Sequence, residues 1–301
     1  MEIISNRFLS IGECMVELSP ASENQLSMGF AGDTFNTAWY ISKSLPKSWD
    51  VDYLTAVGSD EISKDMVQFI NHAGIATRNI AKFCDRTVGL YMIHTKNGER
   101  SFTYWRENSA ARKFASNIQH LNRGMNGAGI VFFSGISIAI LIPEDRQNLY
   151  EALTNARSNG SKIVFDPNLR PALWADNSKM CEEISHFAKC ADILLPSFDD
   201  EALFFDDKNP EATLVRYISS GAELVVVKNG AQSILAGSSA GTVEFKPAEI
   251  ENPVDTTAAG DAFNAGFLSA YFNGQDIKSA IEIGASLSAK VIGKRGALVD
   301  I

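Results

Sequence analysis

Cysteine and histidine are scarce in this chain and lie far apart. The 301 residues contain four cysteines and four histidines, and neither C-x-x-C nor H-E-x-x-H occurs. Cys181 and Cys190 are nine residues apart, a separation that matches no common zinc motif. The pattern disfavours a disulfide framework or a zinc site and predicts reduced thiols that pack as small apolar side chains.

Long apolar runs and an excess of positive charge are also absent. No stretch of about 18 apolar residues occurs, and residues 1–7 lack the apolar core and cleavage site of a secretion signal. The formal net charge of −9 disfavours a general nucleic-acid binder, which needs a basic face. We therefore expect a cytoplasmic protein that does not span a membrane and does not bind nucleic acid.

Two familiar nucleotide-binding signatures are missing. Neither G-x-x-x-x-G-K-[ST] nor G-x-G-x-x-G occurs, which disfavours a P-loop enzyme and a dinucleotide-binding dehydrogenase. The hydrophobic fraction of 45% is nevertheless enough for a large core, and no shift in composition marks a linker. We expect a single domain over residues 1–301.

Short β-rich runs alternate with stretches of helical period. The strand-like runs are 8–11, 51–57, 130–134, 162–165, 191–195 and 224–228. Apolar residues recur on one helix face at 60–73, 143–157, 259–272 and 276–292. This alternation predicts an α/β fold in which helices cover a mostly parallel sheet.

A hairpin interrupts the alternation. Runs 89–95 and 99–106 are strand-like and are joined through Lys96-Asn97-Gly98, where Asn-Gly is a strong turn signal. Two strands alone bury little surface, so we expect pairing with another extended segment, for which 13–19 is the candidate. These pieces, about 13–36 and 87–107, predict a small β-sheet lid inserted into the body. The alternative is an edge hairpin of the main sheet.

Residues 255–266 form the most informative motif. Small residues there lead into a helix, and they let a phosphate approach the free N–H groups of its first turn. A carboxylate in that turn repels phosphate, so Asp261 has two plausible roles. It is either an N-cap or the group that accepts a proton from an attacking hydroxyl.

The sequence D-T-T-A-A-G-D-A-F at 255–263 resembles the D-T-x-G-A-G-D-x-F signature of ribokinase-like carbohydrate kinases, with Ala258 in place of a glycine. The similarity covers residues 11–297. It implies a three-layer α/β/α fold with a small β-sheet lid, and it implies that Asp261 is the catalytic base. The N–H groups of Ala258, Ala259, Gly260 and Asp261 would form the anion hole.

A second resemblance concerns the sugar side of the site. Residues 32–38 resemble the family's Gly-Gly-x-x-x-Asn-x-Ala segment, with Ala31 in place of the first glycine. The resemblance implies that Gly32, Asp33 and Asn36 contact sugar hydroxyls. Asp33 is also a good N-cap for the helix that follows, and both roles can coexist.

Arginine and tyrosine suggest an acidic sugar. Arginine binds a carboxylate through two charge-assisted hydrogen bonds, and the strand period places Tyr104 and Arg106 on one face. Tyr91 on the partner strand could join them. For Arg106 the alternative is a solvated edge-strand charge. We expect Trp105 to pack under the lid.

Segments 31–38, 104–106 and 166–170 are most similar to family members that phosphorylate 2-keto-3-deoxygluconate. This resemblance implies that the keto acid is contacted by Tyr91, Tyr104, Arg106 and Arg170.

On the nucleotide side, residues 228–233 resemble the family's K-x-G-x-x-G loop. The resemblance implies that ATP is contacted by Lys228, Gly230, Ser233, Asn168, Arg170, Ser197, Ala258 and Gly260. For Lys228 the alternative is a solvated lysine at a strand end. Ser197 and Asp200 stand where many relatives have Asn-x-x-Glu, a motif linked to magnesium, and Glu201 follows one step later. We expect Mg²⁺ without assigning its ligands.

The expected activity is therefore ATP-dependent phosphorylation of 2-keto-3-deoxygluconate at its 6-hydroxyl. A kinase for a neutral sugar such as fructose, and a non-catalytic sugar or nucleotide sensor on the same fold, remain alternatives. Because bare sheet edges invite pairing, we also expect a homo-oligomer.

Overall fold

The computed structural model describes residues 2–22, 24–96, 99–250 and 253–301. The strands are β1 Arg7–Ile11, β2 Met15–Ser22, β3 Gln25–Ala31, β4 Asp50–Val57, β5 Ala76–Lys82, β6 Gly89–Lys96, β7 Glu99–Trp105, β8 Ile130–Ser134, β9 Lys162–Asp166, β10 Ile193–Leu194, β11 Leu224–Val227, β12 Ile234–Ser238 and β13 Gly241–Phe245. The helices are α1 Asp33–Ser44, α2 Glu61–His72, α3 Ile118–Met125, α4 Gly135–Ala139, α5 Pro143–Ser158, α6 Asn177–Ala188, α7 Phe198–Phe205, α8 Pro210–Ser219, α9 Ala259–Phe272 and α10 Ile277–Ile292. Short 3₁₀ helices lie at Ala110–Lys113 and Pro171–Leu173.

Among the described residues, none of the helices combines the length and apolar character that a membrane span requires.

Nine strands form the main sheet in the order β13-β12-β11-β10-β9-β8-β1-β4-β5. Neighbouring strands from β5 through β11 pair in parallel, and β12 and β13 add antiparallel strands at one edge. The expected mostly parallel sheet is confirmed. The run 191–195 yields only two residues of strand, Ile193–Leu194.

Helices cover both faces of this sheet. Along β1, Phe8 belongs to one apolar core, whereas Leu9 and Ile11 belong to the other, because successive side chains of a strand point to opposite faces. The first core includes side chains of α1, α9 and α10, and the second includes side chains of α5 and α6. This is the three-layer α/β/α arrangement that the family resemblance implied.

The hairpin β6–β7 belongs to a separate sheet of four strands with the order β3-β2-β6-β7. Strand β2 pairs with β6 in parallel, so the segment predicted as the hairpin's partner is the correct one. The alternative of an edge hairpin on the main sheet is wrong. The predicted turn at Asn97-Gly98 lies outside the described residues.

The two faces of the small sheet have different surroundings. Met15, Tyr91 and Ile93 cluster with Ala297 and Ala258, so this face points toward the start of α9. On the opposite face, Val16 and Phe30 belong to the first core, which also includes side chains of α1, α9 and α10.

Further out on that opposite face, Leu26, Met28 and Trp105 are 50, 55 and 55% exposed. The expectation that Trp105 packs under the lid is wrong. Trp105 pairs with Leu90 and points away from the face that carries Tyr104.

The order of the main sheet reverses next to β1. The chain passes from β1 to β4 and β5 on one side, and from β8 to β11 on the other. In α/β proteins, ligands bind outside the carboxyl ends of the strands at such a switch point. The loops after β1, β8, β9 and β11 therefore define where a ligand site is expected.

Candidate active site

Asp261 lies in the first turn of α9 and is not its N-cap. That position belongs to Ala258, whose backbone is left-handed with φ of 60° and which makes no side-chain capping bond. The Asp261 carboxylate instead accepts a hydrogen bond from Asn36 Nδ2 at 2.8 Å. The N-cap alternative for Asp261 is therefore wrong, and its carboxylate remains available for chemistry.

The same turn presents backbone donors. The N–H of Ala259 donates to Thr256 O at 3.2 Å, and the N–H of Ala262 to Ala258 O at 2.8 Å. The N–H groups of Gly260 and Asp261 have no acceptor within the described part of the chain. Two adjacent free donors at a helix N-terminus form an anion site beside a carboxylate.

The electrostatics around Asp261 favour a proton acceptor near neutral pH. Burial, followed by the charges of Asp33 and Asp166, raises the pKa of Asp261 to about 8, while the Asn36 hydrogen bond and Lys228 act in the opposite direction. A carboxylate with such a pKa binds a proton far more strongly than an exposed one. That is the property a general base requires.

The start of α1 brings the predicted sugar-side residues next to Asp261. Gly32 N donates to Asn36 Oδ1 at 3.2 Å, which orients the Asn36 amide toward Asp261. Asn168 Nδ2 donates to Asp33 Oδ2 at 2.8 Å, so a residue predicted for the nucleotide side meets one predicted for the sugar side. Burial raises the pKa of Asp33 as well.

The inner face of the small sheet carries the predicted tyrosines. Tyr91 and Tyr104 lie opposite each other on β6 and β7, with ring centroids 5.9 Å apart. The Tyr91 hydroxyl donates to Glu17. Burial, and then the charge of Glu17, raise the pKa of Tyr91. Tyr104 is 51% exposed and open to a ligand.

Arg106 is buried just after β7 and forms an ion pair with Glu13. Its guanidinium carbon lies 5.9 Å from the centre of the Tyr104 ring, so the two side chains share one side as predicted. The alternative of a solvated charge is wrong. Sequence reasoning missed Glu13 and Glu17, although their alternation within 13–19 placed both on one strand face.

Lys228 is also buried, which makes the solvated-lysine alternative wrong. Its ammonium lies 3.2 Å from Asp166 Oδ2 and 3.2 Å from Asn264 Oδ1. A methyl group built on Gly260 would lie 3.7 Å from Lys228 Nζ, so the cation is adjacent to the first turn of α9. Gly230 (φ of 53°) and Ser233 lie in the turn that follows Lys228.

Arg170 and Asp200 face each other near the same edge. Arg170 Nη1 lies 3.6 Å from Asp200 Oδ2, and the Arg170 side chain is 51% exposed. Ser197 precedes α7, and its backbone forms an isolated parallel β-bridge with Lys228. The pKa of Asp200 is raised by burial and by Asp166, which indicates a crowded acidic edge.

Glu201, the neighbour of Asp200, points away from Arg170 and into the protein interior. It is fully buried and accepts hydrogen bonds from Arg216 Nη2 at 2.7 Å and from the Tyr217 hydroxyl at 3.0 Å. Burial raises its pKa to about 7. Of the two neighbouring acids, Asp200 is therefore the one that faces the site.

The described residues contain no group of three or more His, Cys, Asp or Glu disposed to hold a metal ion. Mg²⁺ bound with a nucleotide does not need such a group, because the ion keeps several waters and uses phosphate oxygens with one or two carboxylates. Asp200 is a carboxylate that borders the site beside Arg170.

Comparison with known proteins shows the family of the chain. The profile of the pfkB family of carbohydrate kinases matches residues 5–301. The 2-dehydro-3-deoxygluconokinase of Dickeya dadantii is 37% identical, covering 97% of this chain and 96% of the relative. The enzyme of the same name from Escherichia coli K12 is 35% identical, covering 98% of each. Fructokinase with bound ATP from Xylella fastidiosa superposes with a TM-score of 0.85 at 20% identity, covering 97% of this chain and 94% of that chain. The chain belongs to the pfkB family of carbohydrate kinases.

Proposed function

We propose that this protein transfers the γ-phosphoryl group of ATP to the 6-hydroxyl of 2-keto-3-deoxygluconate (2-dehydro-3-deoxygluconate) and so forms the 6-phosphate and ADP. The observation that carries the proposal is the Asp261 carboxylate beside the free N–H groups of Gly260 and Asp261. The name shared by the relatives at 37 and 35% identity supports the acceptor.

In this mechanism Asp261 accepts the proton of the 6-hydroxyl as its oxygen attacks the γ-phosphorus. The phosphoryl group leaves the β-phosphate oxygen of ATP, and ADP carries away that electron pair. Of the predicted anion-hole residues Ala258, Ala259, Gly260 and Asp261, the last two bind the equatorial oxygens through their free N–H groups, whereas the Ala259 N–H already donates to Thr256 O. These donors are fixed before reaction, so they stabilise the developing charge without reorganisation.

The nucleotide lies, in this proposal, along Lys228, Gly230 and Ser233, with Asn168, Arg170 and Ser197 near its phosphates. Mg²⁺, held through Asp200 and the phosphate oxygens, would neutralise charge on the β- and γ-phosphates. Arg170 Nη1 lies 3.6 Å from Asp200 Oδ2, and this cation next to the proposed metal ligand supports a role for Arg170 beside the phosphates.

The sugar acid lies between α1 and the small sheet. Gly32, Asp33 and Asn36 meet its hydroxyl groups. Its carboxylate end meets Tyr91, Tyr104, Arg106 and Arg170, because tyrosine hydroxyls and guanidinium groups are the donors that a carboxylate selects. The small sheet acts as a lid that excludes water from the phosphoryl group.

A substrate panel tests this function. With ATP and Mg²⁺, 2-keto-3-deoxygluconate should give the highest kcat/KM, above its galactonate epimer, fructose and ribose, in an assay that couples ADP release to NADH oxidation. Fructose as the best acceptor would replace the proposal by a neutral-sugar kinase, and no ADP release with any sugar would favour a sensor.

Two variants refine the panel. Asp261→Ala should lose most turnover while it keeps the fold, and turnover near that of the wild type would contradict the mechanism. Tyr104→Phe should raise KM for the sugar acid more than for fructose. Tyr104 is the better choice than Arg106, since truncation of Arg106 would leave Glu13 buried without its partner.

We also propose that a second copy of the chain covers the outer face of the lid. Leu26, Met28 and Trp105 lie on that face, across strands β3 and β7 at the two edges of the small sheet. Exposed apolar side chains next to bare strand edges favour association. The substrates, ATP and a sugar acid, are consistent with a cytoplasmic location.

A further inference from the structure

A buried polar cluster lies next to the first turn of α9. It joins Lys228 from the end of β11, Asp166 from the end of β9 and Asn264 from α9, and all three are at most 9% exposed. The Lys228 ammonium donates to Asp166 Oδ2 and Asn264 Oδ1, both at 3.2 Å, and Asn264 Nδ2 donates to the same Asp166 oxygen at 2.7 Å. Each residue therefore contacts the other two.

Such a closed triangle restricts Lys228 strongly. A lysine side chain rotates about four bonds and carries three N–H donors, and an unpartnered buried ammonium would lose its proton. Asp166 supplies the opposite charge. Asn264 supplies an acceptor that adds no negative charge beside a phosphate site.

The cluster has unused hydrogen-bonding capacity. Two of the three Lys228 donors have partners in the described residues, and Asp166 Oδ1 is buried there without one. A methyl group on Gly260 would lie 3.7 Å from Lys228 Nζ, so the ammonium borders the turn that carries the anion site. A third donor at this place can meet an anion bound by the same turn.

The cluster also acts on Asp261. Lys228 lowers the pKa of Asp261, whereas Asp166 raises it. The position of the ammonium therefore influences the protonation of the base as well as the binding of the phosphate.

We propose that Asn264 and Asp166 are positioning residues that hold the Lys228 ammonium against the first turn of α9, where its remaining N–H contacts an oxygen of the transferred phosphoryl group. The inference rests on the proposed kinase reaction, but it does not depend on which sugar is the acceptor. It assigns a role to Asn264, which lies on the same helix as the base.

The first variant is Asn264→Leu, which keeps the branching at Cγ and lacks the amide. We expect its affinity for a non-hydrolysable ATP analogue with Mg²⁺ to fall at least about tenfold by calorimetry, because a charge-assisted contact is lost. We also expect the acid limb of kcat against pH to move to higher pH, since the displaced cation no longer favours the ionised base.

The second variant is Asp166→Asn, which keeps an oxygen for both donors but removes a negative charge near Asp261. Its acid limb should move to lower pH. Opposite displacements of the two limbs distinguish positioning of a cation from a purely structural role, which would not move the limbs in opposite directions.

Ser269→Ala is the matched control. Ser269 is buried on the same helix, and its hydroxyl has no hydrogen-bond partner among the described residues. The proposal is overturned if Asn264→Leu binds the nucleotide within about two-fold of this control and its acid limb does not move.

If circular dichroism shows that Asn264→Leu does not fold, Asp166→Asn is the deciding variant. The proposal is then overturned if the acid limb of kcat against pH for Asp166→Asn stays in place or moves to higher pH. If 2-keto-3-deoxygluconate is not a substrate, the calorimetric comparison still tests the cluster. Failure of the proposed substrate and failure of this inference are thus separate results.

Discussion

At the scale of single residues, the proposed base is a carboxylate that the fold keeps in an unfavourable environment. Asp261 lies near two other carboxylates, Asp33 and Asp166, and its pKa rises from 3.8 to about 8. Ionisation of Asp261 costs free energy in the folded chain, where the carboxylate is buried near other negative charges, and does not carry this cost in the unfolded chain. If Asp261 is the base, as proposed, the site gives up stability to obtain it.

This cost predicts a stabilised but inactive variant, Asp261→Asn. The folded-state pKa of Asp261 is above its unfolded value, so the wild-type protein loses stability as pH rises from 3.8 to about 8. An amide does not titrate, so the variant should gain on the order of 5 kcal/mol at pH 8 and less than about 1 kcal/mol at pH 4. Thermal unfolding at the two pH values measures the difference.

Asp60→Asn serves as a control for this experiment. Asp60 caps α2 through Ser63 and has a lowered pKa, so the neutral substitution should lower stability at pH 8 instead of raising it. A melting temperature of Asp261→Asn equal to the wild-type value at pH 8 would show that the carboxylate carries no penalty.

At the scale of elements, the junction between β3 and α1 places the sugar-side residues. Gly32 precedes α1, and a methyl group there would lie only 2.1 Å from the carbonyl oxygen of Glu13. The absence of a side chain lets the loop after β1 pass against this junction. Asn36 then lies where its amide reaches Asp261.

Gly32→Ala should therefore destabilise the protein by roughly 1–3 kcal/mol, because backbone atoms must move to relieve the clash. It should also lower kcat through displacement of Asn36. Urea unfolding and steady-state kinetics measure both effects.

Gly29→Ala on β3, three residues before Gly32, is the matched control, since an added methyl group there would meet nothing within 4 Å. Equal unfolding midpoints for the two variants would contradict the close approach at Gly32.

At the scale of the whole molecule, one face of the small sheet lies over the site, and part of the other face is exposed to solvent. Met28 and Trp105 are each 55% exposed on the outer face. If a second copy covers this face, the inner face with Tyr91 and Tyr104 is held in place by the partner. Assembly and substrate binding would then be linked.

Met28→Glu should convert a dimer into a monomer and raise KM for the sugar acid, because a buried unpaired carboxylate is costly at an interface. Sedimentation velocity measures the assembly. Leu203→Glu is the control, since Leu203 is 72% exposed on α7, away from the lid. A wild-type protein that sediments as a monomer at micromolar concentration rejects the interface.

Local pattern predicted much of the fold. The helix periods at 259–272 and 276–292 correspond to α9 and α10, since amphipathic spacing is a property of neighbouring residues. Strands β5, β12 and β13 were not predicted. β5 and β13 are the two edges of the main sheet, and their residues are mostly exposed or only partly buried, whereas β12 lies inside the sheet and is largely buried. Edge strands carry a weaker alternation because one side meets solvent.

Contacts between distant residues were beyond local pattern. The environments of Lys228, Glu201 and Trp105 depend on which elements pack next to them. Glu201 is fully buried against α8, whereas its neighbour Asp200 faces Arg170. Adjacent residues of one helix point in different directions, and the sequence does not say which direction meets the site.

The sequence alone determined the family signature, the alternation of strands and helices, and the position of Asp261 in the first turn of α9, because all three depend on residues that are neighbours in the chain. Tertiary structure decided that Asn36 meets Asp261, that Asp166 and Asn264 hold Lys228, and that the pKa of Asp261 is about 8. The physical reason is that burial and charge–charge interactions depend on distances in space, which only the folded chain fixes.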